Sequence, residues 1–317
     1  MGFTPVSVIA KTIQVFFRRT VLAHIAALCF AACAFSSGSA TPADAIRVPR
    51  GAGSFTWLHA QEQTPKRMTV FTYLPSHVSA SHAPIVFVMH GKGKNADGYR
   101  DVWAKQADRH GFMVIAPLFD EQTWGSEYAG ARVFAQGAKA GDAAQWSFSV
   151  IEQLFDAIKA ATKNRSDTYL IYGHSEGAQF VHRLVWFLPD ARYSKAVAAN
   201  AGWYTMPDFD TAFPYGLGKT PATSGSAKLS LERNVTVLLG EKDTDPNHPQ
   251  LNKSAQAMKQ GPFRLTRGEN FYREAQASCA ALKCRFGWTL QHVPGAAHSN
   301  AQMAERAAEV LMRKDKD

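Results

Sequence analysis

The sequence has little cysteine and little charge. Four cysteines in 317 residues exclude a disulfide-dense scaffold. Charged residues make up 19% against 46% hydrophobic ones, which excludes a mainly disordered chain. Proline and glycine, at 15 and 23 residues, stand at ordinary levels, so collagen-like and low-complexity chains are excluded too. No internal repeat or interdomain linker breaks the pattern. No cluster of lysine and arginine accompanies the net charge of +9, so nucleic acid is not an expected partner. Nor does any apolar run reach the roughly 20 residues a membrane-spanning helix needs.

What is present at the N-terminus has the order of an export signal. Lys11, Arg18 and Arg19 precede the apolar run Val21–Phe35, and small residues ending in Ala43-Asp44-Ala45 follow. This is the n-region, h-region and A-x-A order of a secretory signal peptide. We expect residues 1–45 to be a leader and 46–317 a single domain. A cut after Ala40 fits as well. Cutting after Ala45 removes Lys11, Arg18, Arg19 and Asp44 and takes the net charge from +9 to +7. Arg18-Arg19 weakly resembles a twin-arginine signal. Phe30-Ala-Ala-Cys33 resembles a lipobox, in which case Cys33 would be acylated and the protein tethered to a membrane. Ordinary export, to the periplasm or the medium, is the first expectation and the lipoprotein the second.

The mature chain keeps Cys279 and Cys284. They fall where a helix pattern ends and a strand pattern begins. A disulfide is one reading and two free buried thiols the other; the spacing is poor for zinc.

Apolar runs of strand length recur at Met68–Leu74, Ile85–Met89, Phe112–Leu118, Tyr169–Tyr172, Ala196–Ala201, Val235–Leu239 and Trp288–Val293. Several are continuous, as expected of central strands covered on both faces. Helical spacing lies between them: Phe148, Ile151, Phe155 and Ile158; Phe180, Val181, Leu184 and Val185; Met303, Ala307, Val310 and Leu311. Such alternation predicts an α/β fold with a mainly parallel sheet and helices on both faces. The stretch 202–234 breaks the rhythm with Trp203, Tyr204, Phe209, Phe213, Pro214 and Tyr215. Loops of that length are usually functional or disordered. Together with Phe119–Gly137, which carries Trp124, Tyr128 and Phe134, it could roof a pocket; local packing is the alternative.

Four places carry chemistry. A strand runs into Gly173-His-Ser175-Glu-Gly177 and then into an amphipathic helix, the context of a nucleophile elbow with Ser175 at its tip. Met89-His90-Gly91-Lys92-Gly93 follows a buried strand. Acyl transfer needs backbone N–H groups aimed at an oxyanion, and those of Glu176 and of Lys92 or its neighbour are the candidates. His90 reads as a loop organiser. Gly240-Glu-Lys-Asp243-Thr-Asp245 follows another strand. Asp243 there could orient an imidazole, while Asp245 suits a turn or helix cap. Finally, Pro294-Gly295-Ala-Ala-His298 follows the last strand and offers His298 as the base. His110, His182, His248 and His292 read as structural.

The order Ser175, Asp243, His298 is that of the α/β-hydrolase fold. Through His90-Gly-Lys-Gly93, Gly173-His-Ser-Glu-Gly177, Gly240-x-x-Asp243 and Pro294-Gly-x-x-His298, the chain resembles the exported esterases grouped with poly(3-hydroxybutyrate) depolymerases and feruloyl esterases, over roughly residues 65–313. The resemblance implies ester hydrolysis through an acyl-enzyme, without a cofactor. Many relatives carry a small or apolar residue at the position of Glu176, so its carboxylate is expected to point away from the oxyanion or to meet a basic partner. Beyond His298 the sequence accommodates one closing helix, which favours soluble esters or oligomers over a solid polymer. Trp203 and Tyr204 are candidates for the acyl or alcohol pocket. A serine peptidase of the same fold and a non-catalytic binding protein on a hydrolase scaffold are the alternatives. Acyl and alcohol specificity and oligomeric state are not legible in the sequence.

Overall fold

The computed structural model describes residues 46–59, 65–125, 128–129, 143 and 146–314. The expected leader, with Cys33, lies outside the described residues, as does Phe134.

Among the described residues one eight-stranded sheet organises the chain. Its strands are β1 (Gly51–His59), β2 (Lys66–Leu74), β3 (Ile85–Met89), β4 (Met113–Pro117), β5 (Tyr169–His174), β6 (Tyr193–Ala199), β7 (Val235–Gly240) and β8 (Trp288–Val293). Their order is β1-β2-β4-β3-β5-β6-β7-β8. The β1–β2 and β2–β4 pairs are antiparallel. The pairs from β4 through β3 to β8 are parallel.

The physical cause is legible in burial. Every position of β3, β4, β5 and β7 is buried, as continuous apolar runs require when helices cover both faces. β2 instead buries alternate residues, Met68, Val70, Thr72 and Leu74. β1 has no counterpart among the expected strands. Its opening Gly-Ala-Gly-Ser carries no apolar alternation, and pairing with β2 from Gly51↔Leu74 to His59↔Lys66 makes it a strand.

Helices α1 (Ala96–His110) and α7 (Asn300–Met312) cover one face. Tyr99, Trp103 and Ala107 of the first are buried over β3 and β4, and Met303, Ala304, Ala307 and Leu311 of the second over β5, β6 and β7. The other face carries α2 (Ser149–Thr162), α3 (Glu176–Phe187), α4 (Ser224–Leu231) and α6 (Arg264–Ala281). A short α5 (Ala255–Lys259) lies before α6. In α3 all residues from Gly177 to Phe187 are buried, the signature of a helix enclosed on all sides. Cys279, in α6, is disulfide-bonded to Cys284 just beyond it, with Cα atoms 5.1 Å apart. No helix among the described residues is long and apolar enough to cross a membrane.

The parallel strands point the same way, so the loops after β3, β5, β6, β7 and β8 meet at one edge. Ligands of open α/β sheets bind outside the carboxyl ends of the strands.

Candidate active site

Ser175 sits between the end of β5 and the start of α3 with φ 59° and ψ −116°. A non-glycine residue in that region is strained, by about 1–3 kcal/mol. The flanking glycines make the turn feasible. A Cβ on Gly173 would lie 2.1 Å from the Gly177 carbonyl oxygen, and one on Gly177 would lie 2.2 Å from that of Met89. Strand and helix thus touch backbone to backbone. The Ser175 N–H donates to the Ala199 carbonyl at 3.0 Å, and its own carbonyl accepts from Ala178 and Gln179.

His298, on the loop after β8, bridges two side chains. Its Nε2 is 3.0 Å from Ser175 Oγ and its Nδ1 is 2.7 Å from Asp243 Oδ2. Asp243 is buried and follows β7 by three residues. The His298 and Asp243 loops are laced together: Glu241 N–H donates to the Val293 carbonyl and Lys242 N–H to that of Ala296. Asn200, just past β6, accepts from the Gly240 N–H and donates to the Ala297 carbonyl. Asp245 stands apart and accepts from the Asn247 N–H at 2.8 Å, as a turn cap.

Glu176 opens α3, so its N–H belongs to the first turn, where no intrahelical acceptor exists. Lys92 lies in the turn closed by the Lys94 N–H on the Gly91 carbonyl. Both residues line a cavity of about 740 Å³ together with Ser175, Gln179, Arg183 and Trp203. The Glu176 carboxylate meets Lys94, whose ammonium is 3.3 Å away and lies 4.5 Å from the Tyr128 ring centroid.

Tyr204, expected in the pocket, is not in the cavity wall. Both its N–H and its carbonyl are held by the Gln260 side chain, which turns the fully buried ring inward to stack on Phe271, centroids 4.4 Å apart. Trp124 and Tyr128 do not roof the cavity either. They pack with Phe119 into the core beside His90. The remaining stretch after Gly202 does reach the cavity, through Phe213 and Pro214.

The histidines sort by their partners. His90 Nδ1 bonds the Gly91 carbonyl, and its Nε2 accepts from the Phe119 N–H, so it organises the Lys92 loop. Burial pushes its pKa down to about 4. His182 Nε2 accepts from the Thr205 N–H, and His292 meets Glu269. His110 ends α1, its ring stacked on Phe112. His248 is not remote from the site: its ring centroid lies 5.4 Å from that of His298.

Three further groups are not among the expected site residues, although His174 stands inside the Gly173–Gly177 motif. Arg264, buried at the start of α6, donates to Asp243 Oδ1 at 3.3 Å. His174 stacks on His298 with ring centroids 4.7 Å apart, and its Nδ1 is 3.0 Å from the Tyr99 hydroxyl. Burial, with the charges of His298 and Arg264, holds its pKa well below the usual histidine value. Arg183 lies two turns along α3 from Ser175. Only Asn200, a polar residue directly after a strand end, could have been suspected from position alone.

Comparison with known proteins decides the family. The esterase family model matches residues 61–199. The structure of poly(aspartic acid) hydrolase-1 from Sphingomonas sp. KT-1 is 41% identical, with a TM-score of 0.79 over 84% of this chain and 100% of that one. LpqC, a poly(3-hydroxybutyrate) depolymerase from Bordetella parapertussis, is 32% identical, with a TM-score of 0.77 over 83% and 90% of the two chains. The chain belongs to the α/β-hydrolase esterase family. An S-formylglutathione hydrolase from Agrobacterium tumefaciens, 16% identical with a TM-score of 0.52 over 82% and 95%, shares the fold. No curated protein sequence matches. This esterase is therefore an ester hydrolase, and its sheet edge is where that chemistry is sought.

Proposed function

We propose that this esterase cleaves carboxylic esters, small or oligomeric, by a Ser175–His298–Asp243 triad through an acyl-enzyme. The observation that carries the reading is His298, within hydrogen-bond distance of both Ser175 and Asp243. Nε2 takes the proton from Ser175 Oγ as the oxygen attacks the ester carbonyl. Asp243 holds Nδ1–H in the right tautomer and steadies the imidazolium that forms. The N–H groups of Glu176 and Lys92 receive the oxyanion. Collapse of the tetrahedral intermediate expels the alcohol, which takes the proton from His298. Water, deprotonated by His298, then adds to the acyl carbonyl and releases the acid.

The ion pair with Lys94 supports a passive role for the Glu176 side chain. It neutralises a carboxylate that would otherwise oppose the developing oxyanion. Export is part of the reading, supported by the signal-like order of residues 1–45. The Cys279–Cys284 bond suits an oxidising compartment.

A second reading, amide hydrolysis by the same triad, is favoured by the 41% identity to a protein described as a poly(aspartic acid) hydrolase, since poly(aspartic acid) is a polyamide. Fluorophosphonate labelling of wild type and Ser175→Ala tests the nucleophile. Labelling confined to wild type supports the triad, and no labelling of folded wild type returns the chain to the binding-protein reading. Matched ester and amide substrates then separate the two hydrolytic readings.

A further inference from the structure

The cavity beside Ser175 contains a buried cation that the hydrolytic mechanism leaves unused. Ser175, Gln179 and Arg183 recur at four-residue spacing from the start of α3 and line the same cavity. Eight residues of helix separate the Cα atoms of Ser175 and Arg183 by roughly 12 Å. A helical side chain leans toward the N-terminus, which brings the guanidinium nearer to Ser175.

Two of its donors are used inside the protein. Nε donates to Thr205 Oγ1 at 3.0 Å and Nη1 to the Ala129 carbonyl at 2.6 Å. The indole of Trp203 lies over the guanidinium, 4.4 Å from Cζ to the ring centroid. Nη2 is buried and has no hydrogen-bond acceptor among the described residues. No carboxylate among the described residues lies within ion-pair distance of Arg183; Glu176 pairs with Lys94 and attracts the guanidinium only from farther off. A buried charge without a direct ion-pair partner is costly, and burial pushes the Arg183 pKa down to about 9 against the opposing pull of Glu176. Lys92 adds a second cation to the wall, while Trp203, Phe213 and Pro214 supply apolar surface. Arginine matches a carboxylate with planar, charge-assisted donors, and such pairs discriminate sharply against a neutral analogue.

We propose that Arg183, aided by Lys92, binds a carboxylate on the substrate, so that the preferred ester carries a free acid group a short carbon chain away from the scissile carbonyl. The chemical class is the half-ester of a dicarboxylic acid, or an oligoester ending in a free acid. This specificity rests on the ester-hydrolase reading, but its failure is separable from the failure of that reading.

The test compares mono-4-nitrophenyl adipate with its methyl-capped diester on the full chain. The free acid should exceed the capped ester at least tenfold in kcat/KM. Adipate should inhibit competitively where adipamide does not. In Arg183→Gln the preference should collapse toward unity, and in Arg183→Lys it should be intermediate. Turnover of both esters by wild type without preference for the acid overturns the carboxylate site alone. No turnover of either ester overturns the hydrolase reading with it. A preference that survives Arg183→Gln removes Arg183 from the assignment. If that variant does not fold, the wild-type substrate ratio and the adipate–adipamide comparison decide.

Discussion

Arg264 donates to Asp243 Oδ1, leaving Oδ2 for His298 Nδ1. The buried carboxylate thus has a cation on one oxygen and the imidazole on the other. The guanidinium fixes the rotation of Asp243, and Leu265 N–H holds the Asp243 carbonyl as well. Burial lowers the Arg264 pKa while Asp243 opposes that shift. Removing one partner of a buried pair costs about 3–5 kcal/mol. Arg264→Met should therefore lower stability by that order in urea unfolding. It should also lower kcat about tenfold, because Asp243 is no longer held toward His298; tenfold corresponds to about 1.4 kcal/mol in the barrier. A stability loss with kcat unchanged would limit Arg264 to a structural role.

The elbow glycines test the packing account. Gly173→Ala and Gly177→Ala each put a methyl group about 2 Å from a backbone oxygen, where no side-chain rotation relieves the clash. Each should cost at least about 3 kcal/mol, the upper range for overpacking, and reduce ester hydrolysis through misplacement of Ser175. Gly225→Ala, in α4 with room for the added carbon, should be tolerated. Equal effects in all three would contradict the close backbone approach.

Acid should destabilise the protein through its buried histidines. Burial pushes His90 from 6.5 down to about 4, and His174 and His182 move the same way. Between those values the unfolded chain binds a proton that the folded chain excludes. Stability therefore falls as pH drops from 6.5 toward 4, and below that the His90 contribution is constant. At pH 4.5 the His90 share is about 2–3 kcal/mol. His90→Gln keeps a donor and an acceptor for Gly91 and Phe119. The loss of unfolding free energy between pH 7 and 4.5 should shrink by about that amount in this variant. An unchanged loss would mean that His90 is not the titrating group.

Local patterns carried much of the architecture. The run Ile85–Met89 coincides with β3 to the residue, because a strand covered on both faces is written as unbroken apolar sequence; Trp288–Val293 also coincides with β8, an edge strand of mixed sequence in which only Trp288 is buried. β1 was illegible, since its pairing with β2 rather than its own residues makes it a strand. At the site, Ser175, Asp243 and His298 each follow a strand end, so position in the alternation marked them. Tyr204 shows the limit of that rule: it follows β6 as Trp203 does, yet Gln260 on a distant segment turns it into the core. No sequence motif singles out Arg183 or Arg264. Their roles come from contacts across the fold with Trp203 and Asp243, which no spacing along the chain encodes.

The central claim is that Ser175 becomes acylated. Rapid mixing with a 4-nitrophenyl ester, an acid quench and peptide mass analysis would test it directly. The account predicts an acyl adduct on the peptide containing Ser175 in wild type, formed in a burst, and none in Ser175→Ala with the fold retained. Ester hydrolysis that persists in Ser175→Ala, or an adduct on another residue, would contradict it.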